Sequence, residues 1–161
     1  MYYVPICKID LPNLRSVTCI IPGKPVPLLR PRFSGRRIFD TQKKIKIDWG
    51  IILTEQLGDM PFFVGPLHLQ VTFYFPIPQS SQKRQDSIKD TLFFYKPDVD
   101  NLVKFIADCA NGILYKDDAN IASLFAQKLY SDQPRTELTL VELSPYKEYM
   151  HEEKNKKQYK K

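Results

Sequence analysis

The segment LHLQVTFYF, residues 67–75, places large apolar residues at every second position. Successive side chains of a β-strand point to opposite faces, so this alternation predicts a half-buried strand. Pro76 and Pro78 follow, and proline lacks the backbone N–H that strand pairing requires, so we expect the strand to end there. His68, which falls on the less apolar face, is predicted to be a surface residue.

Two segments have the spacing of helices. The first is predicted to begin at an N-cap at Asp40 or Thr41 and to continue to Gly58, with apolar residues recurring every three to four positions. The second is predicted to begin at Asp100 and to end at Asn111-Gly112, which tolerate left-handed backbone. On a helical wheel, one face of this second helix is apolar and the other carries two acids, a lysine and two amides.

Short apolar segments bounded by turn residues predict the remaining strands. They are Ser16–Ile21, part of RRIFD at residues 36–40, Ile121–Tyr130 and Thr136–Leu143, with an extension at Phe93–Tyr95. We therefore expect an α+β fold: a single two-layer domain with a mixed sheet of about four to five strands and two main helices. Residues 1–146 should form this domain, and residues 147–161 a basic and mobile C-terminal tail.

Composition limits the class of protein. The chain has 161 residues and 43% hydrophobic residues, which suits one globular domain with a sizeable core. It contains no apolar run long enough for a membrane span, and its first residues do not resemble a signal peptide. The three cysteines are scattered and form no metal-binding pair. We expect a soluble, reduced, cytoplasmic protein.

Charge is distributed unevenly along the chain. Its net charge is +6, but residues 24–46 carry +7, residues 147–161 carry +3, and the remainder is acidic at −4. A proline-rich basic loop, IPGKPVPLLRPRF, supplies part of the first excess. A basic arm beside an acidic patch suits a protein that holds a polyanion and places a metal ion on it, although a solvated charged surface has the same composition.

The acids concentrate in KPDVDNLVKFIADCANGILYKDD, residues 96–118. Asp98 and Asp100 precede or begin the second helix, and Asp117 and Asp118 follow it. Magnesium and manganese prefer oxygen ligands, so carboxylates that converge at strand ends would form a hard-metal site able to activate water against a phosphodiester. A strand that begins near Asp118 and pairs beside the strand preceding Asp98 would bring them together. Lys104, one turn after Asp100, could bind a phosphate or orient water.

Structural roles are the alternatives for the same acids. Aspartate is a good helix N-cap, which suits Asp100, and Asp117-Asp118 is equally compatible with a turn. Other chemistries have little support. The chain has only two histidines, the residues after Asp100 do not fit a calcium-binding EF-hand loop, and no glycine-rich phosphate-binding motif is present.

The segment KPDVDNLVKFIADCANGILYKDDANI resembles the signature of RusA-like Holliday-junction resolvases. GKPVPLLRPRF is similar to the basic N-terminal element of that family, and QKLYSDQPRTELTL to its last pair of strands. The likeness extends from about residue 20 to residue 143. Cys109-Ala110 and Asn120 depart from the commoner residues of the family, but the acids are intact.

This resemblance implies a function and a set of site residues. Residues 1–146 would be a RusA-like nuclease domain that cuts four-way DNA junctions as a homodimer, with Mg²⁺ as cofactor and Mn²⁺ as a substitute. Asp98, Asp100, Asp118 and Lys104 would be catalytic, and Asp117 would be a further metal ligand. The residues expected to bind DNA are Lys24, Arg30, Arg32, Arg36, Arg37, Lys96 and Lys128.

Two other functions remain compatible with these residues. One is a branched-DNA-binding accessory protein that keeps the fold but does not cut. The other is a less selective flap or fork nuclease. Metal-dependent nicking separates the first from a resolvase, and a comparison of branched substrates separates the second.

Overall fold

A computed structural model describes residues 14–29, 32–34, 37–39, 41–79 and 86–143, with the backbone alone described in 32–34 and 37–39. The predicted tail at residues 147–161, and Arg30 and Arg36 of the predicted DNA-binding set, lie outside these ranges. None of the helices in the described ranges is both long and apolar enough to cross a membrane.

Six strands and two main helices make up the described fold. In chain order they are β1 (Ser16–Pro22), β2 (Arg32–Ser34), β3 (Arg37–Phe39), α1 (Lys43–Leu57), β4 (Leu67–Pro76), α2 (Val99–Ala110), β5 (Ile121–Ser131) and β6 (Arg135–Glu142). A helical turn at residues 86–88 and a 3₁₀ turn at Asp118–Asn120 complete the list.

The main sheet has four strands in the order β1-β6-β4-β5, and β2 and β3 form a separate two-stranded sheet. β4 pairs parallel with β5, whereas β6 pairs antiparallel with both β1 and β4. The predicted α+β fold with a mixed sheet and two main helices is therefore confirmed. The strand that follows Asp118 also begins where the sequence predicted, and it pairs beside β4.

An apolar core lies between the sheet and the two helices. α1 packs against β1, and α2 packs against α1 and β5. The inward residues of β1 and β4 belong to the same core as the fully buried Leu102 and Phe105 of α2. Trp49 of α1 contacts Phe105 edge to face, with ring centroids 5.0 Å apart. The predicted cap of α1 at Asp40 or Thr41 is wrong by one or two residues, because the helix begins at Lys43 and the cap position is Gln42.

The prediction that His68 lies at the surface is also wrong. Residues on both faces of β4 are buried, and His68 is only 4% exposed. Its Nδ1 lies 2.9 Å from Ser123 Oγ on β5. Burial lowers the pKa of His68, because it disfavours the charged imidazolium.

The chain between β4 and α2 returns along the free edge of β5. Asp90 and Phe93 donate their backbone N–H groups to the carbonyls of Tyr130 and Lys128, and Tyr130 donates to Thr91, each at 2.9 Å. This edge contact ends at Phe93. The predicted strand extension over Phe93–Tyr95 is therefore wrong, since the segment forms an isolated bridge at Leu92 and these hydrogen bonds but no continuous strand.

Candidate active site

Asp98 and Asp100 lie at the first turn of α2. The helix begins at Val99, one residue earlier than predicted, so Asp98 occupies the N-cap position and Asp100 the first turn. The Asp98 side chain makes no capping hydrogen bond. The helix dipole nevertheless stabilises both carboxylates, since the positive end of the dipole lies at the N-terminus.

Each of these carboxylates is paired with a lysine at the surface. Lys96 Nζ lies 3.9 Å from Asp98 Oδ2, and Lys104 Nζ lies 3.4 Å from Asp100 Oδ2. The carboxylate side chains are 58% and 62% exposed. Exposed pairs of this kind contribute at most about 1 kcal/mol, so the two acids are accessible and only weakly engaged.

Lys128 of β5 holds the segment that leads into Asp98. Its ammonium group donates to the carbonyls of Tyr95 and Pro97, at 2.7 and 2.8 Å, and lies over the ring of Phe93. Burial lowers the pKa of Lys128, and the nearby Asp98 carboxylate opposes that shift. The sequence predicted Lys128 as a DNA-binding residue, but the structure engages this ammonium with the protein backbone.

Asp117 and Asp118 lie between α2 and β5, and the structure separates their roles. Asp117 Oδ1 accepts a hydrogen bond from the Ala119 N–H at 2.9 Å and so caps the 3₁₀ turn. The turn role considered for this pair is thus present at Asp117. Asp118 is exposed, and within the described residues its carboxylate has no hydrogen bond or ion pair.

Tyr115 is buried in the segment that leads from α2 to Asp118. Its hydroxyl donates to the Ala107 carbonyl of α2 at 3.1 Å. Burial raises the pKa of Tyr115 far above its ordinary value, and the negative charges of Asp118 and Asp108 add to the shift. A neutral tyrosine therefore ties this segment to α2 in the vicinity of two acids.

The basic loop after β1 rests on the beginnings of both helices. The buried Gln42 side chain accepts from the Leu29 N–H at 2.7 Å and donates to the Pro27 carbonyl at 2.8 Å. Leu28 donates its N–H to the carbonyl of Asn101, at 2.8 Å. The loop that carries the exposed Lys24 is therefore fixed next to the turn that carries Asp100.

The sequence analysis did not assign two residues to the site, one in the segment before Asp98 and one that holds the basic loop. Phe94 is 77% exposed and stacks on Tyr95, with ring centroids 4.4 Å apart. Gln42 is the other contribution that sequence reasoning missed. The adjacent aromatics of LFFY were a signal in the sequence, whereas nothing in the pattern around Gln42 indicates its two backbone partners.

The chemistry of the acidic side chains fits a hard divalent cation. Asp98, Asp100 and Asp118 offer only oxygen ligands and are exposed, and magnesium binds such groups while keeping several waters. Within the described residues, no three His, Cys, Asp or Glu side chains are grouped closely enough to hold a metal ion. Asp108, on the same polar face of α2, pairs with Lys46 of α1 at 3.1 Å.

The predicted site residues are thus distributed over three places. The first two turns of α2 and the segment before them carry Lys96, Asp98, Asp100 and Lys104, and Lys128 supports this segment from β5. Asp117 and Asp118 precede β5. Arg32 and Arg37 belong to β2 and β3, the two-stranded sheet that follows the basic loop.

Comparison with known proteins gives two findings. The family model described as Endodeoxyribonuclease RusA matches residues 22–141. An uncharacterized protein of Bacillus subtilis (strain 168), YqaN, is 34% identical over 132 residues, which cover 76% of this chain and 93% of that protein. The family-model match includes the whole acidic segment, β4, β5 and all of β6 except its last residue, but only the last residue of β1.

Proposed function

The chain belongs to the RusA family of endodeoxyribonucleases, and on that premise we propose that it resolves four-way DNA junctions by magnesium-dependent, paired phosphodiester hydrolysis. The observation that carries this proposal is the state of Asp98 and Asp100. Both are exposed at one helix start, Asp98 makes no capping bond, and Asp100 pairs only with a surface lysine. If these carboxylates served only to cap α2, we would expect them to make hydrogen bonds to its first backbone N–H groups.

Asp98 and Asp100 would hold the metal ion, and Asp118 would join them as a third ligand when the ion binds, because in the described residues the three carboxylates are not grouped closely enough to hold it already. We assign Asp118 in preference to Asp117, because the Asp117 carboxylate already serves the 3₁₀ turn. When bound, magnesium supplies Lewis-acid activation of the phosphodiester and of water. The protein binds and orients the DNA strand: Lys104 lies beside Asp100, where its ammonium can contact a phosphate oxygen of the scissile strand.

The basic loop and the exposed aromatic pair would position branched DNA over these acids. Lys24 and the arginines that follow it can neutralise backbone phosphates without reading base sequence. Phe94 and Tyr95 present aromatic surface beside Asp98, and unstacked bases near a branch point bind such surfaces. A junction has near two-fold symmetry, so two symmetric cuts require two copies of the site, and we propose a homodimer.

The test is a cleavage assay on a synthetic four-way junction, with magnesium and with chelator, beside linear duplex of the same sequence. Paired, magnesium-dependent nicks in the junction alone are expected. Nicks in flaps and forks at equal rates would make the protein a less selective branched-DNA nuclease. Tight junction binding without cutting in magnesium or manganese would make it a binding protein.

Asp100→Asn is the first substitution to compare. It removes a charge from the metal site while keeping the side-chain shape, so we expect cleavage to fall at least about a hundredfold, with junction binding unchanged within about threefold. Asp59→Asn is the matched control, because Asp59 is exposed and lies outside the site. Unfolding of Asp100→Asn, measured by circular dichroism, would instead assign this residue to the stability of α2.

A further inference from the structure

The outer face of α1 carries a row of four exposed residues: Lys43, Ile47, Ile51 and Glu55, which we call the α1 row. Residues four apart are neighbours along a helix surface, so these side chains follow one another as a continuous ridge. The two isoleucines are each 53% exposed. The ridge therefore places two large apolar side chains in solvent between a positive and a negative end.

The α1 row is self-complementary under a two-fold rotation. If two copies of α1 cross antiparallel with Trp49 at the centre, Lys43 meets Glu55 of the partner subunit. Ile47 then meets Ile51 of the partner subunit, and each contact occurs twice. Packing in which the ridges of residues four apart on both helices interdigitate is the commonest class in globular proteins.

The surroundings of the α1 row form an open apolar groove of about 500 Å³. The small residues Gly50 and Thr54 line the groove beside the two isoleucines. Ile113 and Cys109 line it as well. A second depression shares Thr54 and Ile113 with the groove and continues to Phe62, which is 49% exposed. An apolar strip of this extent at the surface is typical of an interaction site.

The charged ends of the α1 row are available for contacts with another chain. Among the described residues, neither Lys43 nor Glu55 takes part in an ion pair. By contrast, Lys46, one turn along the helix, is engaged with Asp108 of α2. The fold thus uses Lys46 to join its own two helices and leaves the ends of the row facing solvent.

We infer that the α1 row is the dimer surface of this protein, occupied by the same row of a second copy crossing antiparallel about a two-fold axis. The charge order along the ridge selects this occupant, because a second copy supplies the opposite charge at each end and isoleucine in the middle. The inference rests on the homodimer of the proposed function and assigns its contacts.

Charge reversal tests the register of this interface. Sedimentation of the full chain at 50 mM salt, without DNA or divalent cation, should show a dimer. Lys43→Glu and Glu55→Lys should each raise the dimer dissociation constant at least about tenfold, since each turns two attractive pairs into repulsive ones. The double variant Lys43→Glu/Glu55→Lys restores opposite charges across the axis, so its dissociation constant should return to within about threefold of wild type.

Loss of folding does not explain the expected result. Lys43 is at the N-terminal end of α1 and Glu55 near its C-terminal end, so both reversals favour the helix dipole. Lys24→Glu is the control: it makes the same change in net charge as Lys43→Glu but lies outside the groove, so it should leave the dimer intact. A monomeric wild type, single reversals without effect, or a double variant as weak as the singles would each overturn the assignment. Because no cleavage is measured, failure of the nuclease proposal would be seen separately.

Discussion

Lys128 shows how a residue expected to bind DNA can serve the protein backbone instead. Two of its three ammonium protons are directed to the carbonyls of Tyr95 and Pro97, the residues that precede Asp98. These hydrogen bonds fix the segment that leads into Asp98, a proposed metal ligand. We therefore propose a positioning role for Lys128 in place of a phosphate contact.

Replacing Lys128 with methionine should separate these two roles. The variant keeps most of the apolar stem but loses two charge-assisted hydrogen bonds, so the free energy of unfolding should fall by about 1–3 kcal/mol. Junction cutting at saturating protein should fall at least about tenfold because Asp98 is no longer held, while junction affinity changes less than about threefold.

A phosphate-binding Lys128 would give the opposite pattern. Affinity for every DNA shape would then weaken, and the slope of log affinity against log salt would fall by about one, with cutting at saturation retained. Lys89→Met is the matched control, because Lys89 is exposed and pairs with Asp132 away from α2.

The helices and strands were predictable where the sequence is strictly periodic. β4, β5, β6 and α2 lie within one or two residues of their predicted bounds, because alternation and helical spacing report directly which face is buried. Periodicity does not report whether another part of the chain packs against the second face of a strand. β4 is buried on both faces, which buries His68, and Phe93 packs on Phe75 of β4 and Tyr130 of β5 from a loop rather than from a strand.

The site was predictable in part for the same reason. The acids that open α2 could be identified from the segment itself, since their spacing around one helix is local. The partners of Gln42 and Lys128 could not be identified in this way, because each side chain binds backbone groups of a loop more than a dozen residues away in sequence. Such contacts depend on the path of the loop, which leaves no periodic signal.

Burial of His68 between β4 and β5 predicts a pH dependence of stability. Its pKa is lowered from the ordinary value of 6.5, so the unfolded chain binds a proton more readily than the folded one. Stability should therefore be full above about pH 6.5 and fall as the pH decreases toward the lowered folded pKa. Urea unfolding at pH 5 to 8 should show this loss in wild type and a smaller one in His68→Gln.

His151→Gln is the matched control for this measurement, since the chain has only two histidines and His151 lies outside the described residues. The control should retain the pH dependence of wild type. If His68→Gln keeps the full dependence and His151→Gln loses it, the burial of His68 is not its cause.

At the scale of the whole molecule, the proposed DNA-binding residues and the proposed metal ligands lie in different segments of the chain. The basic residues of positions 24–46 run from the loop that rests on α2, through the β2–β3 sheet, into α1. The acids lie at the start of α2 and before β5. DNA that is held by phosphate contacts along the basic segment would therefore pass next to the first turn of α2, where Leu28 already contacts Asn101.

Arg32 and Arg37, on β2 and β3, provide the test of this division. Each phosphate contact contributes about 0.9 to the slope of log affinity against log salt, so the double variant Arg32→Ala/Arg37→Ala should lower the slope by about 2. Affinity should weaken alike for junction and duplex, because phosphate contacts carry no shape or base information of their own. Cutting at saturating protein should remain within about threefold of wild type, and the measurement is a binding titration at 50–200 mM salt. An unchanged slope together with lost cutting would place these arginines in catalysis and would contradict their role in holding the DNA.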